Sequence, residues 1–104
     1  MTLKKIQHDV DGWTSQFKPQ YWKPHEILAR LIEETGELAL EINHLYGPKK
    51  KKSSDETKGL AGEIADILFT ICCLANSTGI DLEESWQKMM KKIRNRDNDR
   101  FERK

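Results

Sequence analysis

Acidic residues spaced three apart occur in two segments of the chain, and residues of this kind bind cations. Glu34 and Glu37 lie in RLIEETGELALEI, and Glu63 and Asp66 lie in GLAGEIADILFTICCLAN. Residues three apart share one face of an α-helix. Carboxylates crowded beside apolar residues repel one another and are costly to desolvate unless a cation or a donor compensates them. Four of them would form an all-oxygen site, which suits magnesium or manganese better than zinc or copper.

Both acidic segments have the apolar spacing of helices. In the first, the apolar residues recur three and four apart: Ile27, Leu28, Leu31, Ile32, Leu38, Ala39, Ile42 and Leu45. The second is apolar around nearly its whole circumference, which is typical of a buried helix. One acidic helix alone could be a solvated face. Two such helices facing each other would bring the four carboxylates together.

The rest of the chain predicts two further helices and an all-α fold. No strand-like alternation or hairpin signal occurs. The helix boundaries carry capping residues, prolines or glycines: Thr2, Lys18-Pro19, Pro24, Gly47-Pro48, Asn76 to Gly79, and Asp81 with Glu84 as a capping box. The fourth helix is expected to place Leu82, Trp86, Met89, Met90 and Ile93 in the core or in an interface.

Length and composition predict a single cytoplasmic domain over residues 1–104. Charged residues make up 34% of the chain, yet the net charge is only +1, which argues against a general nucleic-acid binder. No charge-free apolar run approaches the roughly 18 residues of a membrane span, and no signal-peptide pattern opens the chain. The only cysteines, Cys72 and Cys73, are adjacent and cannot form a disulfide framework, so we expect them to be small core residues.

Three other features each allow two interpretations. Tyr21 and Trp22 could close the end of the bundle or form one wall of a pocket for a planar base. The lysine run at 49–52 could be a solvated loop or could attract a polyphosphate. Lys92 and Arg96, four apart, could belong to a solvated helix end or could grip a phosphate chain.

The paired motifs resemble those of a known family. Glu-Glu-x-x-Glu at 33–37, followed by Glu-x-x-Asp at 63–66, resembles the MazG-like nucleotide pyrophosphohydrolases of the all-α NTP pyrophosphatase superfamily. The resemblance covers nearly the whole chain, and its short four-helix form is similar to the small single-domain YpjD-like bacterial members. It implies a magnesium-dependent enzyme, with manganese as a substitute, that cleaves nucleoside triphosphates between the α and β phosphates. The products would be a nucleoside monophosphate and pyrophosphate, and the implied role is house-cleaning of the nucleotide pool.

The resemblance also implies roles for individual residues. The metal ligands would be Glu34, Glu37, Glu63 and Asp66, with Glu33 and Glu34 as the catalytic pair and Glu33 orienting water. Lys92 and Arg96 match a Lys-x-x-x-Arg pattern in the family's last helix, and we predict substrate contacts from both, from Asn95 and from Trp22. Many members have a lysine four residues before the first acid of the second motif. That position is Gly59 here, and Lys58 is one residue away.

Two other classes of function stay open. Glu41 and His44 form a Glu-x-x-His unit of the kind used by carboxylate-bridged di-iron bundles, but such sites need it twice. A non-enzymatic helical interaction subunit is the second alternative. Whichever function applies, the apolar area of the helices exceeds what one thin bundle can cover, so we predict a homodimer or a homotetramer. Subunit contacts of that kind also occur in MazG-like proteins.

Overall fold

The protein is built from four α-helices. The computed structural model describes residues 1–48 and 56–104, without the side chains of residues 56–58. The helices are α1 (Leu3–Thr14), α2 (Pro24–Tyr46), α3 (Glu56–Thr78) and α4 (Leu82–Asp97). No strand occurs in the part of the chain so described. The prediction of an all-α fold with four helices is confirmed.

Local chemistry explains where the helices begin and end. The Thr2 hydroxyl accepts a hydrogen bond from the Lys5 amide at 3.1 Å and caps α1. Asp81 caps α4 by accepting from the Glu84 amide at 3.2 Å. Gly79 has φ +72°, a left-handed conformation that only glycine adopts readily, and it follows the end of α3. These boundaries agree with those predicted from the sequence.

The end of α1 differs from the prediction. The helix was expected to continue to Lys18-Pro19, but it ends at Thr14. The amides of Gln16 and Phe17 then bond three residues back instead of four, to the Trp13 carbonyl at 3.4 Å and the Thr14 carbonyl at 3.0 Å. Such tight turns commonly end a helix. The shorter α1 leaves residues 15–23 as a long link, and this link later forms part of a cavity.

Two helices form the centre of the molecule. α2 and α3 have the most extensive contact, α1 packs across α3, and α4 packs on α1. Among the described residues, the buried apolar side chains are few: Val10, Ile27, Cys72 and Ala75. The prediction that the cysteines fill the core holds for Cys72, whereas Cys73 is half-buried. The α2–α3 contact therefore positions whatever side chains those helices carry on their facing sides.

Much apolar surface remains exposed on a single chain. Ile64 on α3 is 55% exposed and Trp86 on α4 is 53% exposed, and Met89 and Ile93 are exposed as well. This exposure agrees with the expectation that one chain cannot cover all of the apolar surface of α3. The physical reason is that, among the described residues, α4 packs on α1 and has little contact with α3. The predicted oligomer would cover this surface, and it stays a prediction.

By length and composition alone, one stretch of α3 could cross a membrane. It runs over Gly59–Thr78, and only 17% of the apolar window found there is buried. The core helices of proteins that never enter a membrane pass the same test, so this is weak support for a span. Glu63 and Asp66 lie within the stretch, and acidic residues are costly inside a bilayer.

Candidate active site

Three carboxylates meet where α2 packs against α3. Oxygen atoms of Glu34, Glu37 and Glu63 all lie within 4.8 Å of one another. Glu34 is 1% exposed, which makes it the largest fully buried side chain in the described part of the chain along with Cys72. We call these three residues the acid cluster. Like charges this close are unfavourable unless a proton or a cation lies between them.

The acid cluster contains oxygen atoms without partners. Glu34 Oε2 and Glu63 Oε2 are both buried and accept no hydrogen bond. Buried polar atoms nearly always have a partner, and an orphaned carboxylate oxygen is a place where a bound ion is expected. The donor set contains only carboxylate oxygens, which is the ligand type that magnesium and manganese prefer. The residues present therefore fit a hard divalent cation.

The surroundings of Glu63 make its ionisation unfavourable. Its pKa is raised from the ordinary 4.5 to about 7. Desolvation is the largest cause, followed by the hydrogen bond with Glu34 and then by the negative charge of Glu37 and of Glu34. Without a cation, Glu63 therefore takes up a proton at a much higher pH than an ordinary glutamate does.

An arginine orients the buried acid. Arg30 forms an ion pair with Glu34 Oε1 from one turn earlier on α2, and its other terminal nitrogen lies 3.2 Å from Glu33 Oε2. This pairing leaves Glu34 Oε2 for the acid cluster. Sequence reasoning gave Arg30 no role in the site. The signal was present in the four-residue spacing to Glu34, because residues at that spacing meet on a helix surface.

A cavity of about 420 Å³ lies beside the acid cluster, which supplies Glu34 to its wall. Its lining comes from α1, the link, α2 and α3: Trp13, Thr14, Phe17, Pro19, Gln20, Tyr21, Trp22, Ile27, Arg30, Glu34, Asp66, Phe69, Thr70 and Cys73. Asp66 lines the cavity, but it is not one of the three clustered acids. The cavity and the acid cluster are therefore one continuous site joined through Glu34.

Aromatic rings form much of the cavity wall. The rings of Trp13 and Phe17 have centroids 4.8 Å apart, and those of Trp13 and Phe69 are 6.0 Å apart. Tyr21 and Trp22 complete the wall, so they stand where the second interpretation of the link placed them. Sequence reasoning missed the other three rings. Trp13 and Phe17, four residues apart, pointed to one face near the link.

The predicted substrate-binding residues of α4 lie apart from this site on a single chain. Lys92, Asn95 and Arg96 are exposed, and none of them lines the cavity. Arg96 instead makes an ion pair with Asp97 at 2.8 Å. The phosphate role of these residues stays a prediction. The lysine run at 49–52 and the Lys58 side chain lie outside the described residues.

The histidine of the alternative di-iron site is not in the acid cluster. Among the described residues, the group that could hold a metal consists of Glu34, Glu37 and Glu63 and contains no histidine. The Nδ1 atom of His44 is buried without a hydrogen-bond partner elsewhere on α2. A histidine ligand is required by the di-iron alternative, so the acid cluster gives that alternative no support.

Similarity to known proteins identifies the family of the chain. A family model, the MazG nucleotide pyrophosphohydrolase domain, matches residues 22–101. YpjD of Bacillus subtilis (strain 168) is 50% identical over 103 residues, which are 99% of this chain and 93% of that protein. Its crystal structure, proposed to be that of a pyrophosphatase, has a TM-score of 0.82 at 49% identity, covering 88% of this chain and 94% of the other.

A second solved structure gives the same result. The crystal structure of the Bacillus-conserved MazG protein, a nucleotide pyrophosphohydrolase, has a TM-score of 0.80 at 43% identity. The match covers 96% of this chain and 97% of that one. The similarity therefore extends over the sequence, the fold and both helices that carry the acid cluster, and the chain belongs to the MazG nucleotide pyrophosphohydrolase family of hydrolases.

Proposed function

We propose that the protein hydrolyses nucleoside or deoxynucleoside triphosphates between the α and β phosphates and that magnesium or manganese is required. The products would be a nucleoside monophosphate and pyrophosphate. One observation carries this proposal: Glu34 belongs both to the acid cluster and to the wall of the aromatic cavity. A ligand with a planar base at one end and a polyphosphate at the other would contact both parts.

The two parts of the site suit the two ends of a nucleotide. The cavity of about 420 Å³ is within the range of roughly 300–1,000 Å³ usual for small-molecule sites. Its aromatic rings offer flat apolar faces for stacking, with Trp22 as the predicted contact. A divalent ion held by Glu34, Glu37 and Glu63 would neutralise phosphate charge and lower the pKa of an attacking water.

The remaining residues have supporting roles in this proposal. Arg30 holds Glu34 in its orientation, and Glu33 is held by Arg30 on the exposed side of α2, where it would orient water. Asp66 would be the fourth carboxylate ligand from the cavity wall. Lys92 and Arg96 would contact phosphates.

We further propose that residues 1–104 form one cytoplasmic domain that assembles as a homodimer or homotetramer. The exposed apolar side chains of α3 and α4, including Ile64 and Trp86, support this assembly. Active sites near the subunit contacts would allow an α4 helix of a neighbouring copy to approach the acid cluster. Light scattering that returned the 12.1 kDa mass of one chain would contradict this.

Pyrophosphate release tests the proposed activity. The purified chain is incubated with each common nucleoside and deoxynucleoside triphosphate, in magnesium, in manganese and in a chelator. We expect monophosphate and pyrophosphate in equal amounts with either metal and no product in the chelator. The Glu34→Gln variant is the control for a contaminating enzyme. Release of orthophosphate, or turnover unaffected by the chelator, would overturn the proposal.

A further inference from the structure

A chain of hydrogen bonds connects α3 to the link that forms the aromatic wall. Asn76 on α3 donates through Nδ2 to the Tyr21 hydroxyl at 3.0 Å. The Tyr21 hydroxyl donates in turn to Asp11 Oδ1 on α1 at 2.7 Å. Both hydrogen-bonding directions of that hydroxyl are thus satisfied within the protein. It is the ring of Tyr21, and not its hydroxyl, that remains for the cavity.

The same asparagine is fixed from its other side. Gln7 on α1 donates to Asn76 Oδ1 at 2.9 Å, and Asn76 Nδ2 also donates to the Gln7 carbonyl at 3.0 Å. Gln7 reaches further and accepts from the Leu82 amide at the start of α4, at 2.8 Å. The two hydrogen bonds with Gln7 therefore hold the Asn76 side chain in one orientation. In this orientation its Nδ2 group faces the Tyr21 hydroxyl.

The link has a second attachment to the same acceptor. Gln20 Nε2 lies 3.0 Å from Asp11 Oδ1 and 3.4 Å from the Thr14 hydroxyl. Gln20, Tyr21 and Trp22 are consecutive, and all three line the cavity. Trp22 itself is 57% exposed and has no hydrogen bond among those of the described residues. Its position therefore depends on how its neighbours Gln20 and Tyr21 are tied down.

We propose that Asn76 is a positioning residue for the nucleoside: acting through the Tyr21 hydroxyl, it fixes the link that forms the aromatic wall of the cavity. The inference rests on the proposed function, because it takes the cavity as the nucleoside site. Asn76 does not line the cavity, so it acts without touching the ligand. Its effect is on nucleoside binding and not on the bond that is cleaved.

Three variants test this role through the split between KM and kcat. Tyr21→Phe removes one hydroxyl and keeps the ring, and Asn76→Ala removes the donor. Loss of a hydrogen bond that orders the wall is expected to raise KM about threefold to tenfold, with kcat changed by less than about twofold. Ser77→Ala is the matched control, since within the described part of the chain the Ser77 hydroxyl bonds only to the Leu74 carbonyl of its own helix, at 3.0 Å. We expect it to leave KM unchanged.

A double variant separates positioning from general destabilisation. If Asn76 acts through the Tyr21 hydroxyl, adding Asn76→Ala to Tyr21→Phe raises KM no further than Tyr21→Phe alone does, because Asn76 then has no hydroxyl to act through. Independent effects would multiply instead, and that result would overturn the proposal. Should Asn76→Ala fail to fold, Tyr21→Phe alone decides, and an unchanged KM for it overturns the proposal.

Binding measurements keep this test independent of turnover. Calorimetry compares the affinity for a non-hydrolysable nucleoside triphosphate with that for inorganic tripolyphosphate, which has no nucleoside. We expect Tyr21→Phe to weaken the affinity for the nucleoside triphosphate about threefold to tenfold and to leave the affinity for tripolyphosphate unchanged. Equal weakening of both ligands would overturn the positioning role. If the wild-type chain binds nucleotide but releases no pyrophosphate, the proposed activity is wrong. The two affinities then still test whether Asn76 and Tyr21 position the nucleoside.

Discussion

The acid cluster and the end of α4 differ in how their charges are compensated. At the α2–α3 contact, Glu34, Glu37 and Glu63 gather negative charge around two buried oxygens that have no hydrogen-bond partner. Arg30 satisfies only one oxygen of one of these acids. The excess raises the pKa of Glu63 to about 7 through desolvation and through its acidic neighbours.

At the end of α4 the opposite arrangement occurs. Asp97 lies between Arg96 at 2.8 Å and Arg100 at 3.3 Å. Its pKa is lowered from the ordinary value, first by the hydrogen bond from Arg96, against the opposing effect of desolvation, and then by the hydrogen bond from Arg100. Asp97 is thus compensated by two arginines of the same chain.

This difference indicates that the charges at Asp97 have a structural role, whereas those of the acid cluster are available to a ligand. Exposed ion pairs contribute little to stability and need no further explanation. Buried like charges destabilise the fold, so a protein that retains them is expected to use them in binding or catalysis. We infer that the acid cluster is suited to bind a cation, whereas Asp97 at the end of α4 is already neutralised by Arg96 and Arg100.

Removing one charge from the acid cluster should have the largest effect. For Glu63→Gln we expect kcat to fall by at least about 100-fold, because even residues that only support a metal ligand cost about 10–100-fold. The melting temperature of the metal-free chain should rise, since repulsion is relieved. Glu84→Gln is the matched control on α4, where Glu84 pairs with Lys88 at 3.0 Å, and its kinetics should equal wild type. Near-normal turnover of Glu63→Gln would mean that the acid cluster is not catalytic.

Asp66 tests whether the cation site has three carboxylates or four. Asp66→Asn removes one negative charge from the cavity wall and preserves the shape of the side chain. We expect activity to be lost by about 10-fold or more while helicity, measured by circular dichroism, is retained. The concentration of magnesium needed for half-maximal activity should rise as well. A variant with unchanged activity and unchanged magnesium dependence would show that the acid cluster alone binds the ion.

The stability gained by adding the cation should depend on the acid cluster and not on the charges of α4. An ion that binds only the folded chain raises the free energy of unfolding by about 2.7 kcal/mol at a free concentration about 100 times its Kd. We therefore expect magnesium and manganese to raise the melting temperature of wild type and of Glu84→Gln, but not of Glu63→Gln. Melting curves that are insensitive to either ion, with and without nucleotide, would contradict a cation site at the acid cluster.

A phosphate contact from Arg96 would contradict the difference between the two regions, because it would give the end of α4 a role in ligand binding. Arg96→Ala should raise KM for nucleotides about tenfold. A charge-assisted hydrogen bond is worth about 1.5–3 kcal/mol, and the existing ion pair of Arg96 with Asp97 reduces what a phosphate contact can add. Arg103→Ala, which removes an exposed charge further along the chain, should have no kinetic effect. If Lys92→Ala and Arg96→Ala both keep wild-type kinetics, the end of α4 has only a structural role.

Sequence reasoning reached the fold and the acid cluster because both depend on local spacing. Helix periodicity and capping residues identified all four helices, and the three-residue spacing placed Glu34 and Glu37 on one face. The error at α1 has a local cause, since a tight turn competed with helix continuation after Thr14. Beyond Tyr21 and Trp22, the aromatic wall could not be predicted, because it depends on how α1 crosses α3 and on how the link folds back. The family match begins at residue 22, so Trp13, Phe17 and Tyr21 also lie outside it.

The pH dependence of stability should distinguish the two charged regions by sign, and it is the smallest effect expected. Glu63 has a raised pKa in the folded chain, about 7 against an ordinary 4.5. The folded state therefore binds more protons than the unfolded state between these values, and the metal-free chain loses stability as pH rises from about 4.5 to about 7. Asp97 has a lowered pKa, so its contribution is present above its ordinary 3.8 and is lost only as pH falls below it.

Urea unfolding in a chelator, at about pH 5 and about pH 8, measures this difference. The stability of wild type minus that of Glu63→Gln isolates the single group, and it should be more negative at the higher pH. The stability of wild type minus that of an Asp97→Asn variant should stay constant over the same range, because Asp97 is ionised there in both the folded and the unfolded wild-type chain. Saturating magnesium should abolish or reverse the trend for Glu63, since the ion binds the ionised carboxylate and is released on protonation. A difference for Glu63→Gln that did not change with pH would mean that Glu63 is already compensated, and the contrast with Asp97 would be lost.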